Sequence, residues 1–168
     1  MKTNRQDPYQ KAQKTALSLL ARRCHSRDEL RRKLAARGFE AAVIERVLAA
    51  CERLDYINDE MAASLFVEEL VRKQVGLLRV QKEMNNRGFA LDLINRMIDE
   101  HNLRDRELEL AKRAMGKKSP TLIREKDPRK RREKLVRFLR SRGFRPSTIS
   151  ALFGRFGPDA ESPQGDCK

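Results

Sequence analysis

The chain carries 38 Lys and Arg against 24 Asp and Glu in 168 residues, a net charge of +14, with only 5% aromatic residues. No apolar run approaches the roughly 18 to 20 residues of a membrane span. Cys24, Cys51 and Cys167 are too few and too scattered for a disulfide framework or a CxxC site, so a reducing compartment is expected. Helices around a modest core, and an anionic partner, are what this composition favours.

The amino terminus, MKTNRQDPYQ, is polar and lacks the apolar core of a secretory signal, which fits a soluble, cytoplasmic protein. Asp7-Pro8 then opens a helix through YQKAQKTALSLLARR, with Asp as N-cap and Pro at the first helical position. Ser26 with Glu29 three residues on reads as a capping box for a second helix. That helix ends at Arg37-Gly38-Phe39, the first of three RGF triplets.

The other two triplets end at Phe89 and Phe144, and the residues around each glycine repeat. Four and eight positions before it stand Leu34 and Leu30, then Met84 and Val80, then Leu139 and Leu135, an apolar helical stripe. After it, Val43, Ile44, Val47 and Leu48 correspond to Leu93, Ile94, Met97 and Ile98, and to Thr148, Ile149, Leu152 and Phe153. Gly38, Gly88 and Gly143 fit the left-handed position past a helix end, with Phe39, Phe89 and Phe144 closing over the stripe.

Asn58 or Asp59 can cap EMAASLFVEELVRK, and RDRELELAKRAM stands in the same place before the third triplet. Nine helices in three units follow: an all-α, elongated tandem array of three-helix repeats over 7–54, 55–103 and 104–156. Each unit is too small to bury much by itself and is expected to lean on its neighbours. The third contains the insertion MGKKSPTLIREKDPRKRREK, in which Gly116 and Pro120 should end one helix and Asp127-Pro128 should start the next. Residues 157–168, rich in Pro and Gly, read as a disordered tail.

No catalytic constellation emerges. His25 and His101 are the only histidines, Cys24 has no evident catalytic partner, and no GxxxxGK[ST] phosphate loop occurs. Asp55, Asp59 and Glu60 are better read as capping residues than as metal ligands. Neither an enzyme activity nor a cofactor is expected.

The basic residues carry more information. Residues 112–145 hold 15 Lys/Arg against 3 Asp/Glu, most of the chain's excess. Around the first triplet, RRCHSRDELRRKLAAR holds seven cations against two acids. Arg22, Arg27, Arg31 and Arg32 in the first unit, and Arg129, Lys130, Arg132, Arg137 and Arg140 in the third, are the candidate contacts to phosphate or to an acidic protein. A solvated helix face is the alternative for each set. Each RGF joint has a helix-turn-helix outline, so a sequence-specific DNA-binding regulator is the rival reading. The helices after Gly38 and Gly143 lack the Asn and Gln suited to adenine.

The ordered set ALSLLARRCHSRDELRRKLAARGF, VIERVLAACERLDYINDEMAASLFVEEL, RVQKEMNNRGFALDLINRMI and REKLVRFLRSRGFRPSTISALF resembles the RecX family, regulators of the RecA recombinase, over about residues 12 to 156. The resemblance implies a helical-repeat protein lying in the groove of a RecA filament on single-stranded DNA. There it would restrain RecA's ATPase, coprotease and strand-exchange activities. It also implies no enzyme activity or cofactor of its own. A monomer is expected, with single-stranded DNA and the RecA filament as partners and duplex DNA met only through weak non-specific contacts.

Overall fold

The computed structural model describes residues 7–119 and 125–154. They form nine α-helices and no strand: α1 Pro8–Leu20, α2 Arg27–Ala35, α3 Ala41–Arg53, α4 Asp59–Arg72, α5 Leu77–Asn86, α6 Leu91–Glu100, α7 Leu103–Lys118, α8 Pro128–Ser141 and α9 Pro146–Phe153. The expected tail, Cys167, and Pro120 with the centre of the insertion lie outside the described residues. Two compact units divide the chain, one of residues up to 72 with 80–102, the other of residues 73–79 with those from 103 onward. The first turn of α5 therefore belongs with the second unit.

The first unit is built on the periodicity of α1 to α3. Ala12, Ala16 and Leu19 from α1 meet Leu30 and Leu34 from α2 and Ile44, Val47, Leu48 and Cys51 from α3. Ala62, Ala63, Phe66, Val67 and Leu70 of α4 are buried in the same unit, as are Val80 and Met84 of α5 and Leu93, Ile94, Met97 and Ile98 of α6. In the second unit Leu103, Leu110, Ala111 and Ala114 of α7 join Leu135, Leu139, Phe144 and Ile149 in the buried set.

Each RGF triplet ends a helix in the same way. The Phe N–H donates to the carbonyl five residues back, Phe39 to Leu34 at 3.4 Å, Phe89 to Met84 at 3.3 Å and Phe144 to Leu139 at 3.2 Å. The three glycines have φ of +81°, +77° and +80°, the left-handed region where a Cβ is penalised. Asp7 caps α1 through the Tyr9 N–H at 3.1 Å, and Asp127 caps α8 through the Arg129 N–H at 2.8 Å. Asn58 rather than Asp59 caps α4, accepting from the Met61 N–H at 3.0 Å.

Three local expectations are corrected. Gly116 does not break the preceding helix, because α7 runs through it to Lys118; one glycine costs a helix only about 1 kcal/mol. Ser26 makes half a capping box: it accepts from the Glu29 N–H at 3.0 Å, while the Glu29 carboxylate turns to Arg23 and Lys33 instead. Asp55 belongs to the end of α3 and not to the start of α4, holding a left-handed turn at φ +56°, a conformation Asp tolerates better than most residues.

Candidate nucleic-acid interface

The joints are where the helices are tied together. In the first unit the start of α2 docks on the second RGF turn: the Ser26 hydroxyl donates to the Arg87 carbonyl, and Arg32 donates to the Asn86 carbonyl at 2.8 Å. Asp59, freed from capping its own helix, accepts from the Arg27 N–H at 2.8 Å. Burial raises the Asp59 pKa and outweighs that bond. Arg87 stacks over the Phe66 ring, 3.4 Å from its centroid, and burial lowers its pKa.

The second unit repeats this arrangement with different residues. The start of α5 docks on the third RGF turn through the Gly76 N–H to the Arg142 carbonyl at 2.9 Å and the Leu78 N–H to the Gly143 carbonyl at 3.0 Å. Glu107 of α7 takes the role of Asp59, accepting from the Leu77 N–H at 2.9 Å. Glu107 is 1% exposed and also accepts from Arg145 Nε and the Thr148 hydroxyl, each at 2.6 Å. Burial pushes its carboxyl pKa up, and these hydrogen bonds more than offset that, so it stays below the usual range. Thr148, the one polar residue in the stripes after the glycines, thereby has its partner.

Glu107 was not singled out from sequence, although a signal was there. It falls on the apolar spacing Leu103, Glu107, Leu110, Ala111, Ala114, where a charge must be paired to be tolerated.

The two basic sets part company in three dimensions. In the first, Arg27 binds Glu45 and Glu52, both at 2.7 Å, and Arg31 and Arg32 both bind Asp28. Arg23 and Lys33 converge on Glu29, beside buried His25. Of the four first-unit candidates, only exposed Arg22 has no carboxylate partner among the described residues. The seven cations counted there are mostly committed to holding α2 in place.

On α8 the balance reverses. Arg129, Lys130, Arg137 and Arg140 are exposed and form no ion pair among the described residues, while Leu135 and Leu139 face the core. Arg131 shares this condition and was not among the candidates. Arg132 stands apart: its guanidinium lies 5.3 Å from the Phe153 ring centroid and donates to the Phe153 carbonyl. Lys134 is held by Glu125 at 2.5 Å. Lys130 and Arg137 are two turns apart, roughly 10 Å along the helix. Among the described residues no group of three His, Cys, Asp or Glu is placed to hold a metal ion, and no helix is long and apolar enough to cross a membrane.

Repeated three-helix units locked by helix ends, one of them carrying a helix rich in exposed cations, define an all-helical repeat protein. Comparison with known proteins places it more closely. Residues 12–51 match the model of the first three-helix domain of RecX, and residues 105–153 that of the third. The chain is similar to regulatory protein RecX of Vibrio parahaemolyticus, 36% identical over 150 residues that cover 89% of this chain and 94% of the relative. It is also similar to regulatory protein RecX of Escherichia coli, 31% identical over 166 residues, 92% of this chain and 96% of that one. The chain belongs to the RecX family of regulatory proteins. The fold agrees: a crystal structure of RecX from Lactobacillus salivarius superposes with a TM-score of 0.71 at 18% identity, covering 88% of this chain and 95% of that one.

Proposed function

We propose that this protein binds the RecA filament on single-stranded DNA and restrains RecA's ATPase, coprotease and strand-exchange activities, as a cytoplasmic monomer without a cofactor. The observation that supports this beyond family membership is the exposed face of α8, where Arg129, Lys130, Arg137 and Arg140 form no ion pair among the described residues, although Glu125 lies near enough to Lys130 to feel its charge. Cations already paired inside a fold gain little from a phosphate. Unpaired ones release condensed counterions from nucleic acid when they bind. In this reading the repeats, 7–54, 55–103 and 104–156, are the modules that meet successive filament subunits, and many weak contacts add through effective concentration.

The direct test is RecA's DNA-dependent ATPase titrated with this protein. A fall in rate at ratios below one per RecA protomer, with the protein co-sedimenting with filaments, is expected. An unchanged rate at every ratio, with no filament binding, would discard the reading. Selection from random duplexes would instead yield a defined site if the protein were a sequence-specific regulator.

A further inference from the structure

The three RGF turns have the same backbone and different surroundings. The second is covered by the first turn of α2 and the third by the first turn of α5. A Cβ built at Gly88 would stand 2.3 Å from Asp28 Oδ2, and one at Gly143 would stand 2.5 Å from Arg79 Cβ. Nearby, an arginine from the docked helix reaches the carbonyl two residues before the glycine: Arg32 to Asn86, and Arg79 to Ser141 at 3.5 Å. The covered phenylalanines are 4% and 1% exposed.

The first turn has none of this. Arg37 and Gly38 are exposed and Phe39 is only half-buried, and a Cβ at Gly38 would meet nothing within 4 Å. The carbonyls of Arg37 and Gly38 accept no hydrogen bond among the described residues. A structure used twice inside the chain as a receptor for a helix start is presented a third time without one.

We infer that the turn Ala36–Phe39 is a docking surface for the first turn of an α-helix of the protein that forms the filament, seated as α2 and α5 seat on the other two turns. This rests on the filament reading proposed above. The internal copies specify the occupant: a helix N-terminus, a small residue at its cap, and a donor placed for the Arg37 or Gly38 carbonyl. A second copy of this chain is a poor source. Its remaining middle helix is α8, and the residue matching Ser26 and Gly76, twelve before the glycine, is Arg131, already inside α8. The start of α8 carries the charged cap Asp127, which accepts from the N–H groups of Arg129 and Lys130, where the two docked starts present the small residues Ser26 and Gly76. Among the described residues the series of turns and helix starts thus leaves one turn open and no matching start to fill it.

Gly38→Asn in the full chain tests this, because Asn accepts a left-handed φ and finds open space in the free protein but would place a Cβ where the docked helix must come. Binding to RecA filaments on single-stranded DNA is expected to weaken about tenfold or more, a typical effect of a clash at a packed interface. Thermal stability should stay near wild type and binding to free single-stranded DNA should not change. Should the asparagine variant not fold, Ala36→Trp, on an exposed residue of ordinary helical φ, carries the same expectation. Wild-type affinity of the variant for filaments would overturn the inference, as would an equal loss on free DNA. Sedimentation showing a wild-type dimer that Gly38→Asn dissociates would overturn it in favour of a second copy as occupant. Failure of the wild-type protein itself to bind filaments would instead strike the proposed function.

Discussion

A Cβ at Gly76 would lie 2.2 Å from the Phe144 backbone nitrogen and 2.3 Å from the Gly143 carbonyl oxygen. These are backbone atoms, so no rotamer change relieves the clash, and Gly76 is required by approach rather than by dihedral angle. Gly76→Ala should therefore cost about 3 kcal/mol, at the upper end of what overpacking costs. Gly38→Ala meets open space and should cost only the left-handed penalty, about 1 kcal/mol. Urea denaturation of the two variants measures the difference. Equal costs would mean that the third turn and the start of α5 are not locked as described.

At the scale of one element, α2 depends on ionisation. His25 is 3% exposed, bonded through Nδ1 to the Arg23 carbonyl at 2.8 Å and through Nε2 to Lys33 at 2.8 Å, so a neutral ring with its proton on Nδ1 satisfies both partners. Burial lowers its pKa. The folded state thus prefers neutral His25, and that preference stabilises the fold above the ordinary value of 6.5 and is lost as pH falls below it. For Glu29 burial raises the pKa, but bonds from Arg23 and Lys33 bring it to about 2. Its contribution holds above the ordinary value of 4.5 and disappears as pH falls toward 2. Stability followed by denaturant titration should decline first below about pH 6.5 and again below about 4.5. His25→Asn should remove most of the first decline, and Glu29→Gln most of the second. Glu29→Gln should also lower stability at neutral pH by on the order of 3 kcal/mol, the size of that pKa shift.

For the whole molecule, the net +14 overstates the free charge, because many cations of the first unit already face carboxylates. Replacing Lys130, Arg137 and Arg140 together by Ala should leave helicity intact, since each faces solvent, and should weaken binding to single-stranded DNA. The slope of log affinity against log salt should become shallower by about 2, at roughly 0.7 for each phosphate no longer neutralised. Replacing Arg27, Arg31 and Arg32 should do the opposite, lowering stability more than the salt slope. Binding that depends equally on salt before and after the α8 changes would remove that helix from the interface.

The nine helices and their three RGF endings were legible in the sequence because they rest on local rules: spacing of Leu34 and Leu30 on one face, Asp-Pro at a start, glycine at a left-handed end. So was the concentration of charge in the third repeat. The pairing of that charge was not legible. Arg27 and Arg137 look alike in sequence, and only packing reveals that Glu45 and Glu52 reach the first while nothing described reaches the second. Glu107 and Asp59 likewise acquire their work from N–H groups 30 and 32 residues away. Periodicity and dihedral preference act within a few residues and can be read from the chain; compensation of charge and occupancy of a turn depend on which distant atoms arrive, and only the tertiary structure decides those.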